Sequence, residues 1–264
     1  MIRRAIRDET GAECWLLISQ VEHARVSGLL AERWDPAPFD RLNCREELLA
    51  AIRRHDDGWA DWERTAGVDP ESGRPLSFTE MPLAESLAIW RASIASAGRH
   101  GDLAGHVVSA HFCSLLQRFS SNWRNDPAKA AIAGEFLACQ QGYQAECLKT
   151  WSRRANVSDA PAIAGAALKV LQVFDALSLW LCCSEHPLPE TFELPGGSAT
   201  TIRSVAPSEA EISPWPFAMP RLEIEVAGRS VPAIRYRSRA DLAVSPATQA
   251  KLKWVLLGGL GKKA

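Results

Sequence analysis

A chain of 264 residues, 47% of them hydrophobic and with a formal net charge of -1, can bury a sizeable core as one large domain or as a domain with an appendage. Its near-neutral balance excludes the strongly basic surface of a nucleic-acid platform or a polybasic membrane binder. Seven cysteines with no C-x-x-C pair and no regular spacing exclude a zinc knuckle and a disulfide framework, so a reducing cytoplasm is the default compartment.

The first segment, "MIRRAIRDETGAECWLLIS", is charged, and its apolar stretch is too short for a signal peptide or a membrane span. "MIRRAI" and "ECWLLIS" read as short strands paired across the "DETG" turn. Ser19 followed by Glu22 has capping-box spacing and predicts a helix to about Trp34, ended by "DPAPFD". Asn43 and Glu46 repeat that spacing and predict a second helix carrying "REELLAAIRRHDDGW". A polar loop, "TAGVDPESGRPLSFTEMP", leads to helices over "AESLAIWRASIASA" and "DLAGHVVSAHFCSLLQRF". Asp126-Pro127 starts a long helix reaching about Arg154, and "APAIAGAALKVLQVFDALSLWLCC" forms the last one. The ten tryptophans are read as packing residues of these helices.

The character changes at "SEHPLPETFELPGG". Short alternating runs follow, "TTIRSV", "RLEIEVAG", "PAIRYRS" and "LKWVLLG", separated by Pro, Gly and Asp. The pattern predicts strands over 1–18, a helical domain over 19–184 and a β-rich segment over 185–264. The expected fold class is mainly α, a helical bundle with a β-rich C-terminal appendage that the N-terminal strands are placed to join.

Helix neighbours lie three, four and seven residues apart, so Leu48, Ile52, His55, Asp56 and Trp59 share the core-facing side of the second helix. A buried carboxylate is costly unless paired or bound to a metal, so Asp56 needs a partner. His55 and Asp56 are about 100° apart around a helix and can both reach one point in front of it. Asp175 lies in "LKVLQVFDALSLWLCC" with Leu168, Leu171, Ser178 and Leu179 on its side. His23 is flanked by Ser27 and Leu30, with Ala24, Gly28 and Ala31 permitting close helix approach. His111 lies beside Val107, Ser114 and Leu115. Any one of these is ordinarily a hydrogen-bonded core residue. Four helices each offering His or Asp from an apolar face point instead to a shared metal, and imidazole with carboxylate suits Fe, Mn, Ni or Zn rather than Ca.

The order His23, then His55-Asp56, then Asp175 resembles the HD-domain superfamily of metal-dependent phosphohydrolases. That resemblance implies an HD-like helical bundle, ligation of a first metal by His23, His55, Asp56 and Asp175, and a second-metal role for His111. His106 is five residues from His111, roughly 140° around the helix, and does not share its direction. His100 and His186 lie near breaks in the pattern and are read as solvated. "QVEHARVSGLLAERW", "HDDGWADWE", "GRPLSFTEMP", "VSAHF", "FDALSLWLCC" and "PWPF", in order along the chain, are similar to an uncharacterised bacterial family, domain of unknown function 3891. The stretch "HDDGW" departs from many phosphohydrolases in having Trp59 where a phosphate-binding cation would help. Arg53, Arg54, Arg74 and Arg91 are within sequence reach of a phosphate, and nothing in the spacing selects one.

Three functions fit. The first is hydrolysis of a phosphoester or nucleotide, with one or two divalent transition metal ions (Fe, Mn, Ni or Zn) and a small-molecule substrate. Asp57 or Glu63 would serve as outer-shell orienter or general base. Asp57 faces away from the Ile52 side and reads equally as a solvated surface acid, and Glu63, seven residues beyond Asp56, as a helix-end charge. The second is a di-iron oxygenase. The third is a non-catalytic binding protein whose β-rich tail carries the partner surface. No G-x-x-x-x-G-K-[ST], G-x-G-x-x-G after a strand or G-x-S-x-G occurs, and "LLGGLGKK" reads as a flexible tail.

Overall fold

The computed structural model describes residues 1–35, 44–184, 187–194 and 197–259. It opens with an antiparallel hairpin, β1 (Ile2–Arg7) and β2 (Glu13–Ile18), with Ile2 opposite Ile18. The Asp8 carboxylate holds the turn by accepting from the Thr10 and Ala12 N–H groups. Helix α1 (Gln20–Arg33) begins where the Ser19 hydroxyl accepts from Glu22 N–H at 3.0 Å. The Glu22 carboxylate reaches across instead to Arg25 and to the N–H of Ala227.

Helix α2 (Arg45–Arg54) has Cys44 at its N-cap, without a side-chain bond, and the expected cap Asn43 lies outside the described residues. The single helix expected through "HDDGW" is two: α2 ends at Arg54, a turn follows, and α3 (Trp59–Arg64) begins. The break has local causes. His55 Nδ1 lies 2.8 Å from the Ile52 carbonyl, tying off the helix end. Gly58 then presses on the next helix, α4 (Leu83–Gly98): its N–H donates to Ser93 Oγ at 3.0 Å, and a Cβ there would lie 2.2 Å from the Ile89 carbonyl oxygen. Helices α5 (Asp102–Arg118), α6 (Pro127–Ala155) and α7 (Ala160–Cys183) follow over the expected spans, α6 from its Asp126-Pro127 start signal. Asp126 and Asp159 cap α6 and α7 through their side chains.

Strands β3 (Glu190–Glu193), β4 (Ala199–Ala206), β5 (Glu209–Ser213) and β6 (Arg221–Pro232), then a short helix α8 (Arg239–Val244) and β7 (Thr248–Gly258), complete the described chain. They form one seven-stranded sheet in the order β1-β2-β6-β7-β5-β4-β3, parallel between β5 and β7 and antiparallel elsewhere. "PAIRYRS" contributes only its first residue, because the chain leaves the sheet after Pro232. Residues 260–264 of the expected tail, like His186, lie outside the described residues.

This sheet corrects the expectation of a mainly α bundle with a β appendage. The fold is 52% helix and 23% strand, and the sheet is curled into a half-barrel. Its physical reason is a shared core. Leu222, Ile224 and Val226 of β6, Leu16 and Ile18 of β2, and Trp254 and Leu256 of β7 belong to one buried cluster with Val26 and Leu30 of α1 and Leu177 and Leu181 of α7. A sheet with one apolar face has to cover it, and α1 and α7 are the cover. Trp254 Nε1–H donates to the Leu181 carbonyl at 2.9 Å, joining sheet to helix inside that core. A smaller cluster that includes Met1, Leu17, Ala66, Val231 and Tyr236 is built around residues of the first hairpin.

Helix α7 is long and apolar enough, by length and composition, to cross a membrane, with a mean hydropathy of 1.6 and 56% of its most apolar window buried inside the fold. That apolar surface is what packs against α1, α5 and the sheet.

Candidate metal centre

Four places in the chain deliver the polar residues that the apolar faces singled out. α1 supplies His23, the turn after α2 supplies His55 and Asp56, α5 supplies His111 and α7 supplies Asp175. α1 and α2 approach closely at Gly28, where a Cβ would lie 2.9 Å from the Arg53 Cβ. His23, His55, Asp56 and His111 are buried to 4% exposure or less. The Asp175 side chain is 14% exposed and marks the accessible side of the cluster.

The donor atoms converge. His23 Nε2 lies 3.1 Å from Asp175 Oδ1 and 3.5 Å from Asp56 Oδ2. His55 Nε2 lies 3.3 Å from Asp175 Oδ1 and 3.4 Å from Asp56 Oδ2. His111 Nε2 is farther out, 3.8 Å from Asp175 Oδ2. The rings stand edge to face, His23 to His55 at 5.2 Å and His55 to His111 at 5.6 Å between centroids.

These contacts are close in distance but misdirected for hydrogen bonding, since neither His23 Nε2 nor His55 Nε2 has a hydrogen-bond partner among the described residues. Two bare, buried ring nitrogens facing two carboxylates are what a cation would satisfy. Donors bonded tetrahedrally to one transition metal at about 2.0 to 2.2 Å stand roughly 3.3 to 3.6 Å from each other, close to the spacing found. Two sets among the described residues, His23 with His55 and Asp56, and His55 with His111 and Asp175, each bring their donor atoms within 4.8 Å of one another and fit a metal ion.

The far nitrogens of the first two imidazoles are anchored. His55 Nδ1 donates to the Ile52 carbonyl. His23 Nδ1 meets the Ser178 hydroxyl, and Ser178 Oγ–H donates at 2.9 Å to the Asp175 carbonyl, so its oxygen is left to accept from His23. Ser27 Oγ lies 2.7 Å from Ser178 Oγ and also reaches the His23 carbonyl. Both rings thus keep a proton on Nδ1 and aim Nε2 inwards, where loss of any proton leaves a lone pair for a metal, the arrangement metal-ligating histidines use. Sequence reasoning placed Ser27 and Ser178 on the right faces without giving them this role. Their i+4 spacing from His23 and i+3 spacing from Asp175 is the signal that points to it.

Electrostatics follow burial and charge. Burial alone would lower the His55 pKa, but Asp56 and Asp175 outweigh it and raise it to about 9. Burial pushes the Asp56 carboxyl up, against the pull of His55 and His23. Burial works the same way on Asp175, yet its contacts with His23 and His55 hold it well below the usual carboxylate range. His111 is lowered to about 4 by burial.

The two acids expected to assist lie elsewhere. Asp57 accepts from Ser96 Oγ at 2.8 Å and pairs with Arg54 at 3.3 Å, tying the end of α2 to α4. Glu63 Oε1 takes the Met1 amino group at 2.9 Å and the Gln20 N–H at 2.7 Å. Its Oε2 is buried without a partner, and the residue lines a cavity of about 310 Å³ with Met1, Ser19, Glu22 and Arg229. Burial raises the Glu63 pKa, and the Asp56 charge adds to the effect. His106 Nδ1 bonds the Gln144 carbonyl between α5 and α6, outside the cluster, and His100 is exposed. Of the arginines in sequence reach, Arg53 pairs with Glu32, Arg54 with Asp57, and Arg91 lies over the Phe136 ring.

A family model described as a protein of unknown function, DUF3891, matches residues 1–233. The chain belongs to this family. The matched span holds all five residues of the cluster and runs to the end of β6, so the DUF3891 unit includes strands of the sheet together with the helices. No curated protein and no solved structure matches the chain.

Proposed function

We propose that this DUF3891 chain is a metal-dependent hydrolase of small phosphoesters or nucleotides, with one divalent transition metal ion held by His23, His55, Asp56 and Asp175. One observation carries the reading. Two buried imidazoles with anchored Nδ1 atoms aim partnerless Nε2 atoms at the space shared by two carboxylates. The order His, His-Asp, Asp that resembles the HD-domain pattern supports phosphoester chemistry in particular. Such an ion would lower the pKa of water and offset charge on phosphoryl oxygens.

The chain's own residues have defined tasks. Ser178 and the Ile52 carbonyl hold the two ring tautomers. Asp56, the more buried carboxylate, would close the site on the core side. Asp175, on the accessible side, is where a substrate approaches. Glu63, outside the cluster but within the electrostatic influence of Asp56, is assigned the proton-accepting role, with its carboxyl raised by burial. Asp57 is assigned a structural tie to α4.

The test is a panel of phosphomonoesters, phosphodiesters and nucleotides against protein reconstituted with Mn, Fe, Ni or Zn. Turnover abolished by Asp56→Asn supports the reading. An iron-loaded protein that consumes oxygen and hydrolyses nothing would replace it with an oxygenase. A loaded protein inert in both assays would replace it with a binding protein.

A further inference from the structure

His111 differs from the other two imidazoles in one respect that decides its role. Its Nδ1 is buried without a hydrogen-bond partner among the described residues, whereas His23 Nδ1 meets Ser178 and His55 Nδ1 meets the Ile52 carbonyl. A neutral imidazole has one N–H. If that proton were on Nδ1, a donor would be orphaned in the core, which proteins rarely tolerate. A bare acceptor there is the more tolerable defect. The opposite nitrogen, Nε2, faces the open side of the cluster, 3.8 Å from Asp175 Oδ2, and is the one left to carry the proton.

We infer that His111 is a hydrogen-bond donor at the centre rather than a metal ligand, with its proton on Nε2 directed at an oxyanion of the substrate. The inference rests on the metal-centre reading above and assigns the ring a different chemistry from its neighbours. To a bound metal His23 and His55 would present lone pairs, whereas His111 presents an N–H. An N–H at that position meets a phosphoryl oxygen or a developing oxyanion beside Asp175, the accessible edge of the cluster. His111 stands within 4.8 Å of the donor atoms of His55 and Asp175, but a metal-ligating histidine ordinarily has the reverse arrangement, a backed Nδ1–H and a free Nε2 pair.

Two measurements separate this inference from the reading beneath it. Nitrogen-15 NMR of the metal-free protein at pH 8 reports each ring's tautomer. The expected result is Nε2–H alone for His111 and Nδ1–H alone for His23, with His55 still carrying both protons at this pH; Nδ1–H at His111 would overturn the inference whether or not the protein binds metal. Metal titration then compares His111→Gln and His111→Leu with His55→Gln. Affinity within about threefold of the parent in both His111 variants, against a loss of 100-fold or more in His55→Gln, is expected. A loss in the His111 variants as large as that in His55→Gln would overturn the inference. Inorganic phosphate should bind the reconstituted His111→Gln variant, which keeps a donor, more tightly than His111→Leu. Equal binding would contradict the donor role. A parent that takes up no metal would defeat the metal-centre reading, and the tautomer would still be decided by the nitrogen spectrum.

Discussion

The Ser178 hydroxyl of α7 meets His23 Nδ1 of α1, and the same hydroxyl donates to the Asp175 carbonyl one turn back. One serine therefore sets the tautomer of one proposed ligand and steadies the backbone of another. Replacing it with alanine leaves a buried N–H without an acceptor, which costs about 1 to 3 kcal/mol. Ser178→Ala is expected to fold with a lower denaturation midpoint. It should also bind metal about 10- to 100-fold more weakly, measured by competition with a chromogenic chelator. Unchanged affinity would remove Ser178 from the centre.

Gly58 is a matter of space. A Cβ there would lie 2.2 Å from the Ile89 carbonyl oxygen and 2.5 Å from the Ser93 backbone nitrogen. Gly58→Ala must push the "HDDG" turn away from α4, carrying His55 and Asp56 with it. Overpacking of this kind costs about 1 to 3 kcal/mol, and the chemical denaturation midpoint should fall accordingly. Metal uptake should weaken too, since the turn holds two ligands.

The two assisting acids should separate cleanly. Glu63 is buried and accepts the Gln20 N–H at 2.7 Å, so Glu63→Gln weakens a charge-assisted hydrogen bond, a change that destabilises by about 1.5 to 3 kcal/mol. Asp57 pairs with Arg54 at a partly exposed position, and Asp57→Asn should cost about 1 kcal/mol or less. Urea denaturation of both variants checks the contrast. In turnover assays, Glu63→Gln should lose rate and Asp57→Asn should not.

The pH dependence of the metal-free protein follows from the histidines. His55 has its folded pKa raised to about 9 from an ordinary value of 6.5, so its contribution is fully present below the ordinary value and is lost as pH rises through the folded one. His111 is lowered to about 4 from 6.5, so its contribution is present above the ordinary value and is lost as pH falls through the folded one. Denaturation midpoints of metal-free protein should therefore decline from about pH 7 to pH 9. Metal affinity should rise over that interval, because a proton and a metal compete for His55 Nε2. A flat midpoint with flat affinity would contradict this account of His55.

The helical faces were the most legible part of the sequence. His23, His55, Asp56, His111 and Asp175 stand out because each interrupts an apolar stripe, and the structure brings them together. The break between α2 and α3 was not legible: the periodicity of Leu48, Ile52 and Trp59 continues through it, and only the contact of Gly58 with α4 shows why the helix stops. The strands of the last third were visible as alternation in "RLEIEVAG". Their partners were not, because β2 pairs with β6 across most of the chain, with Cys14 opposite Pro232. Pairing at that separation leaves no local mark, and so the sheet read as an appendage instead of half of the core. The Nδ1 partners of the histidines are backbone and hydroxyl groups brought in by folding, beyond the reach of residue spacing.

The most direct test is elemental analysis of untagged protein beside a folded His55→Ala/Asp56→Ala double variant. The account predicts near-stoichiometric Fe, Mn, Ni or Zn in the parent and little in the variant, before and after reloading. Equal and negligible metal in both would contradict it and leave the cluster as a buried network of imidazoles and carboxylates.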